Sequence, residues 1–178
     1  MTAQIEDTIL FKGEEYRLIG YDGGEFVSPE LFGMEAVMIS TGCYEGFYAT
    51  YELTDEMLYL REFTLREKTG NYLPIGGIEP TKEEYQATYY GLSVEVPFTG
   101  EIRLAKDFIE ELYIHMGYQK ATAFKTVLDI YLTNGRVDSI DDLSQEMEEK
   151  RGAFKKRYKS GNMMQTIQEA FSLDMDLE

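Results

Sequence analysis

The chain has 178 residues, 43% of them hydrophobic, so it can bury a core without support from disulfides or metals. Its formal net charge of −16 at pH 7 disfavours contact with nucleic acid phosphates and anionic membranes. The single cysteine, Cys43, excludes an internal disulfide, and the sequence shows neither a secretory segment nor about 18 consecutive apolar residues. We therefore expect a cytoplasmic protein without a membrane span.

The first hairpin is predicted from two apolar segments, residues 9–11 and 16–19, which flank a polar turn at residues 12–14. Its register stays open between a two-residue and a three-residue loop. Further strands are expected at residues 36–39 and 47–53, where apolar and aromatic residues are frequent.

The second hairpin is predicted around the polar turn at residues 54–57. A two-residue loop places Leu53 opposite Leu58 and Tyr51 opposite Leu60, and these four side chains share one face because strand residues alternate. The opposite face then carries a mixture of charged and aromatic side chains, which indicates partial exposure: Glu52, Tyr59, Arg61 and Phe63.

The third hairpin is predicted at residues 98–100, where Gly100 can take the left-handed position of a three-residue loop. This register places Val96 opposite Ile102 and Val94 opposite Leu104. Apolar pairs at both positions favour the same alignment.

The fourth hairpin has the clearest turn signal in the chain, Asn134-Gly135 between Leu132 and Val137. A long loop is predicted at residues 67–80, which contain several glycines and prolines. The capping-box spacing at residues 81–84 indicates a short helix after this loop.

Three longer helices are predicted. Residues 107–116 place apolar side chains on one stripe, although residues 112–114 also suit a strand. Residues 142–158 show a stronger stripe, with an acid-before-base pair one turn apart, and residues 163–171 form a third amphipathic segment.

The predicted fold class is α+β and mainly antiparallel β. We expect a hairpin-built barrel or a strongly curved sheet with two or three helices, mostly C-terminal. Residues 1–178 are predicted to form a single domain. Within it, residues 1–140 form the β body, residues 141–172 form a helical segment packed on that body, and residues 173–178 are a frayed tail.

The single histidine, His115, cannot build a histidine-rich metal site, but it has the chemistry of a general base if a carboxylate lies beside it. A structural role is favoured for His115, and an inert thiol is favoured for Cys43. The paired acidic residues match no calcium-binding loop. We predict neither a metal nor a cofactor.

Tyrosine is dense in two regions, and an exposed tyrosine suits recognition because its rigid ring loses little entropy on binding. Strand preference is the alternative explanation, and it is favoured. The candidate ligand-binding or partner-binding residues are Tyr44, Tyr48, Tyr89, Tyr90 and His115.

A basic segment stands out in this acidic chain. It falls in the predicted helix at residues 142–158 and just beyond it, and comprises Lys150, Arg151, Lys155, Lys156, Arg157 and Lys159. A solvated helix face is the favoured interpretation, self-docking or dimer contact is second, and nucleic acid is unlikely because of the overall charge.

Three functions remain open, since the sequence shows no convergent catalytic set. We expect a non-enzymatic module that binds a basic protein partner, by analogy with bacterial immunity proteins and inhibitors. One alternative is a small-ligand-binding barrel, with enzymatic activity left open, whose pocket lies near His115. The other is a structural or oligomeric module that associates through the basic C-terminal helix.

Overall fold

The computed structural model of this chain describes residues 2–24 and 26–157. They form a mainly antiparallel ten-stranded sheet with one α-helix. The strands are β1 (Thr8–Phe11), β2 (Glu14–Gly23), β3 (Phe47–Leu53), β4 (Leu58–Leu65), β5 (Thr81–Lys82), β6 (Ala87–Tyr89), β7 (Val94–Glu95), β8 (Gly100–Phe108), β9 (Phe124–Thr133) and β10 (Arg136–Asp142), and the helix is α1 (Ser144–Arg157). The α+β, mainly β class is thus confirmed, whereas the prediction of two or three helices is not supported by the described residues.

The sheet is curved but does not close into a barrel. Its strand order is β10-β9-β8-β2-β1-β3-β4-β6-β5, with β7 paired to β4 off this path, and its edge strands β10 and β5 do not pair within the described chain. Curvature nevertheless brings the turn between β9 and β10 to β4, where the Leu58 N–H donates to the Gly135 carbonyl at 2.8 Å. The predicted barrel was wrong because the strands bend towards each other without completing the ladder.

Two hairpin turns have the conformation that their sequences favour. In the first hairpin Phe11 pairs with Glu14, which settles the register as a two-residue loop of Lys12 and Gly13. Both loop residues have positive φ, 50° and 77°, as a type I′ turn requires. The fourth hairpin is confirmed as well, since Val137 pairs with Leu132.

The second hairpin has the predicted pairs, Leu53 with Leu58 and Tyr51 with Leu60. The prediction for Phe63 was wrong, because its side chain is fully buried. A β-bulge shifts the register, because Tyr51 pairs with Leu60 but Thr50 pairs with Glu62, which leaves Arg61 of β4 as the extra residue. Such a bulge changes the faces of all residues beyond it, and so Phe63 turns into the core.

The third hairpin does not form. Val94 of β7 pairs with Leu60 of β4, whereas Ile102 of β8 pairs with Ile130 of β9. Val96 and Ile102 are both buried in the same core, so each has the inward orientation that the apolar alternation indicates. The alternation of apolar residues determines the face of a side chain but does not identify its neighbouring strand.

Other boundaries also differ from the prediction. Strand β8 extends to Phe108 and is followed by a short 3-10 helix at Glu110–Leu112, so no α-helix spans residues 107–116. Residues 81–82 form strand β5 instead of a helix start, and within residues 36–39 only Ala36 makes a β-bridge. The predicted helix at 163–171 lies outside the described residues.

The two faces of the sheet bury separate apolar clusters. Leu18 and Leu104 belong to the main core, while their neighbours Ile19 and Ala105 point to the opposite face. On that face Met147 of α1 packs on the second cluster and is 3% exposed. The helix therefore covers one face of the sheet.

The tight contact at the β9–β10 turn predicts that substitutions at two glycines of similar conformation differ widely in their effect on stability. A Cβ on Gly135 (φ 78°) would lie 2.5 Å from the Val96 carbonyl oxygen, whereas a Cβ on Gly13 (φ 77°) would meet nothing within 4 Å. We expect Gly135→Ala to lower the free energy of unfolding by about 2 kcal/mol more than Gly13→Ala, because only the first adds a backbone clash to the strain of positive φ. Urea unfolding of both variants measures the difference, and equal losses would contradict the proposed contact.

Candidate binding cleft

A cleft forms where the segment that precedes β1 passes between two loops. The Gln4 N–H donates to the Gly117 carbonyl and the Ile5 N–H to the Gly42 carbonyl, both at 2.8 Å. A further backbone bond, from the Leu18 N–H to the Asp7 carbonyl, continues into the sheet. These bonds hold the segment in place, and its four consecutive residues Gln4 to Asp7 all line the cleft.

The cleft is small and has several acidic side chains. The cleft is half open to solvent, and its volume of about 30 Å³ gives room for one or two water molecules. The lining residues are Gln4, Ile5, Glu6, Asp7, Leu18, Cys43, Tyr44, Glu45, Phe47 and Tyr118.

Asp7 belongs to the lining of the cleft. Its Oδ1 accepts a hydrogen bond of 2.7 Å from the Ala49 N–H. Burial raises the pKa of Asp7 to about 7, the Ala49 N–H opposes this shift, and the negative charge of Glu45 adds to it. A carboxyl group with this pKa changes its charge near neutral pH, which is typical of functional sites.

Glu6 is a buried carboxylate with incomplete pairing. Its side chain is 9% exposed, and its Oε2 atom lies 3.9 Å from Arg17 Nη1. Its Oε1 atom is buried and has no hydrogen-bond partner among the described residues. Burial raises the pKa of Glu6, while the Arg17 charge and neighbouring backbone N–H groups lower it.

Cys43 and Tyr118 complete the wall. The Cys43 thiol donates to the Phe47 carbonyl at 3.5 Å, and burial raises the pKa of Cys43, so its environment disfavours the thiolate. Burial and the charges of Glu45 and Asp7 raise the pKa of Tyr118, which keeps this phenol protonated. The environments of Cys43 and Tyr118 therefore activate neither of them as a nucleophile.

The rim of the cleft presents exposed apolar surface. Ile5 is 47% exposed and Tyr44 is 54% exposed. An aromatic and an aliphatic side chain beside a polar depression resemble the anchors that dominate many protein interfaces.

The structure separates the candidate residues from one another. Tyr44 lies on the rim and Tyr48 is half-buried in β3. Tyr89 is fully buried, and its hydroxyl donates to the Leu73 carbonyl at 2.6 Å, while Tyr90 is exposed after β6. His115 is exposed and packs edge-on against Tyr113 at 4.8 Å between ring centroids, outside the lining of the cleft.

The basic segment belongs partly to α1. Lys150 pairs with Glu146 at 2.8 Å, as the helical spacing predicts. Arg151 donates to the Phe124 carbonyl of β9 at 3.2 Å. Residues 155–157, which are Lys155, Lys156 and Arg157, lie in the same helix, and Lys159 lies outside the described residues.

A second polar cluster lies on the face that carries α1. Arg103 makes a bidentate pair with Asp129, with bonds of 2.7 and 2.6 Å. Burial, together with the hydrogen bond and charge of Asp129, raises the pKa of Glu101, and Tyr131 and Arg103 oppose the shift. This cluster is built within the sheet, and none of its members lines the cleft.

Sequence analysis did not select Glu6, Asp7, Glu45 or Tyr118. A signal for Asp7 was present, because Asp7, Ile9 and Phe11 have the same parity and the two apolar residues face the core. No local signal indicated Glu45 or Tyr118, because long-range folding brings them to the cleft.

Comparisons of this chain with protein families, curated proteins and solved structures found no match. Within residues 2–24 and 26–157, no helix has the length and apolar character needed to cross a bilayer.

The raised pKa of Asp7 predicts a pH dependence of stability. Between the ordinary pKa of 3.8 and the folded value of about 7, the folded state holds a proton that the unfolded state has lost. The contribution of Asp7 to the free energy of unfolding therefore falls by about 2–4 kcal/mol as pH rises through that window. Asp7→Asn keeps an oxygen for the Ala49 N–H, so we expect it to lose this dependence.

Thermal unfolding between pH 5 and pH 8 tests this expectation. Glu15→Gln removes the same charge from an exposed position of β2 and is the control. The control should keep the pH dependence of stability that the wild type shows. If Asp7→Asn keeps the same pH dependence as well, the role given to Asp7 is contradicted.

The Arg103–Asp129 pair predicts a second stability effect. Arg103→Met leaves the Asp129 carboxylate, which is 5% exposed, without its guanidinium partner. We expect a loss of about 3–5 kcal/mol, because an uncompensated buried charge is costly. The double variant Arg103→Met, Asp129→Leu should recover most of the lost stability. Urea unfolding of both variants measures these effects. An Arg103→Met variant as stable as the wild type would refute the importance of the pair.

Proposed function

We propose that this protein is a non-enzymatic binding module whose acidic cleft receives a basic protein partner. The observation that carries the proposal is the lining of the cleft, which contains Glu6, Asp7 and the exposed Glu45 beside the exposed rim residues Ile5 and Tyr44. Carboxylates give charge complementarity to a basic surface, and the rim offers apolar contact around it.

The size of the cleft favours a protein partner over a metabolite. Pockets for small molecules usually enclose about 300–1,000 Å³, whereas this cleft encloses about 30 Å³. The larger groove of about 410 Å³ lies between the turns of the first two hairpins. Its Glu52 side chain already accepts a hydrogen bond of 2.6 Å from Arg61, and the open sheet provides no closed barrel for a ligand.

The contacts of α1 suggest that this helix packs on the sheet of its own chain. They do not favour it as the main surface for binding a partner. Met147 is buried against Phe124 and Val127, and Arg151 bonds to the sheet backbone. These contacts support the acidic cleft, and not the basic helix, as the principal candidate for partner binding.

Affinity capture with cleft variants tests the proposal. Immobilised wild-type protein is incubated with a lysate of its host at about 0.15 M ionic strength, where weak surface attraction is largely screened. We expect the wild type to retain basic proteins. Glu45→Lys or Tyr44→Ala should lower the retained amount about tenfold, because each substitution alters the cleft or its rim.

Glu15→Lys is the matched control, since it reverses an exposed charge on β2 outside the cleft. It should retain the same basic proteins as the wild type. If Glu45→Lys and Glu15→Lys lower the captured amount equally, net charge alone drives capture. Equal retention by all variants would exclude the cleft as the site.

A further inference from the structure

We infer that the open edge of β10 (Arg136–Asp142) accepts an extended basic segment of another protein as an additional antiparallel strand. The edge lies apart from the acidic cleft, since β10 contributes no residue to the cleft lining. It is therefore a second binding surface, independent of the proposed function. Three features of β10 support this role: its outward-facing backbone groups, an exposed apolar side chain and its charge.

The backbone of β10 directs hydrogen-bonding groups away from the sheet. Within the described residues, β10 pairs with β9 and with no other strand. Just after β10, the Leu143 N–H donates to the Val127 carbonyl of β9 at 2.9 Å. Because backbone groups in an antiparallel pair point alternately towards and away from the neighbouring strand, those of Ile140 and Asp142 point away from β9. Such groups at a sheet edge are the ones that bind an added strand.

An apolar side chain is left open at the same edge. Ile140 pairs with Ile130, a residue of the main core, so both side chains lie on the core face of the sheet. Ile130 is fully buried, whereas Ile140 is 39% exposed, since no strand of the described chain lies beyond it. An added strand with an apolar residue opposite Ile140 would cover this side chain and extend the core.

The charges along the edge favour a basic occupant. Asp138, Asp141 and Asp142 are all exposed, and Arg136 is the only cation in the strand. Opposite charges on facing strands stabilise a pair, whereas like charges destabilise it. A second copy that paired β10 with β10 would align aspartates with aspartates, which is how acidic edges oppose self-association. The occupant is therefore a basic segment of another protein and not a second copy of this chain.

The register determines the order of residues in the occupant. Along an antiparallel strand, the residues opposite Asp142, Asp141 and Ile140 follow one another in that order. Directly opposed side chains make the main contacts between strands. We therefore expect the occupant to carry two consecutive basic residues followed by an apolar, β-branched one.

Titration of the isotopically labelled full-length protein with short peptides tests the inference, with amide NMR shifts and hydrogen exchange as the measurements. The parent peptide contains Lys-Lys-Ile-Thr. A second peptide is N-methylated at the isoleucine, and a third has glutamates in place of both lysines. We expect the parent to slow exchange of the Ile140 amide and to bind about tenfold more tightly than either other peptide. The N-methylated peptide lacks the N–H that would donate to the Ile140 carbonyl, and the glutamates repel the aspartates.

Variants of the protein locate the peptide. Asp141→Lys should weaken binding of the parent peptide about tenfold. Asp55→Lys is the matched control, since it makes the same charge reversal at an exposed position in the turn of the second hairpin. Ile140→Pro removes the outward-facing N–H at a position where an edge strand tolerates proline, and it should abolish the tight binding. Glu45→Lys alters the cleft alone and should leave peptide binding unchanged.

Selective binding of the parent peptide that Asp141→Lys weakens and Asp55→Lys preserves supports the β10 site. Equal binding of the parent and N-methylated peptides overturns it, and so does equal weakening by the two charge reversals, which would show that net charge alone attracts the peptide. Slow exchange of the Ile140 amide in the free protein also overturns it, because the edge would then be covered already, by this chain or by a second copy. Failure of the β10 site together with cleft-dependent capture of basic proteins would leave the proposed function standing, and the reverse result would leave the β10 site alone.

Discussion

The position of β1 between two strands is the constraint on which the rest of the structure depends. β1 pairs antiparallel with β2 and parallel with β3, and it thereby joins the β8–β10 half of the sheet to the β4–β6 half. The Asp7 side chain continues the attachment to β3, since its carboxyl oxygen accepts the Ala49 N–H just before the parallel ladder begins. The same attachment carries Glu6 and Asp7 to the loops that complete the cleft.

The carboxyl groups of the cleft are less well compensated than the buried carboxylate of the Arg103–Asp129 pair. Burial raises the pKa of both Glu6 and Asp7, which shows that their anionic forms are poorly compensated. Arg17 is the nearby cation, but its closest nitrogen lies 3.9 Å from Glu6, and its side chain is 45% exposed. By contrast, the buried Asp129 carboxylate has a bidentate guanidinium partner. A partner's cation would supply to the cleft what Arg103 already supplies to Asp129.

The parts of the fold that local chemistry determines could be predicted from sequence. The Asn134-Gly135 turn and the Leu53–Leu58 pair depend on residues close in the chain, and both were confirmed. Pairing between distant strands could not be predicted, because Val96 and Ile102 have the same inward orientation whichever strands lie beside them. The cleft shares this limit, since it combines residues from positions 4–7, 43–47 and 118. Only the parity of Asp7 with Ile9 was accessible from sequence.

The overall charge and the cleft act over different distances. A net charge of −16 would attract a basic partner of the proposed kind from a distance, but salt screens such attraction beyond about 8–10 Å. The Glu6 side chain is 9% exposed whereas Glu45 is exposed, so salt screens the charge of Glu6 less than that of Glu45. In the proposed function, long-range charge would therefore set the rate of encounter, and the contacts of the cleft would set how tightly a partner is held.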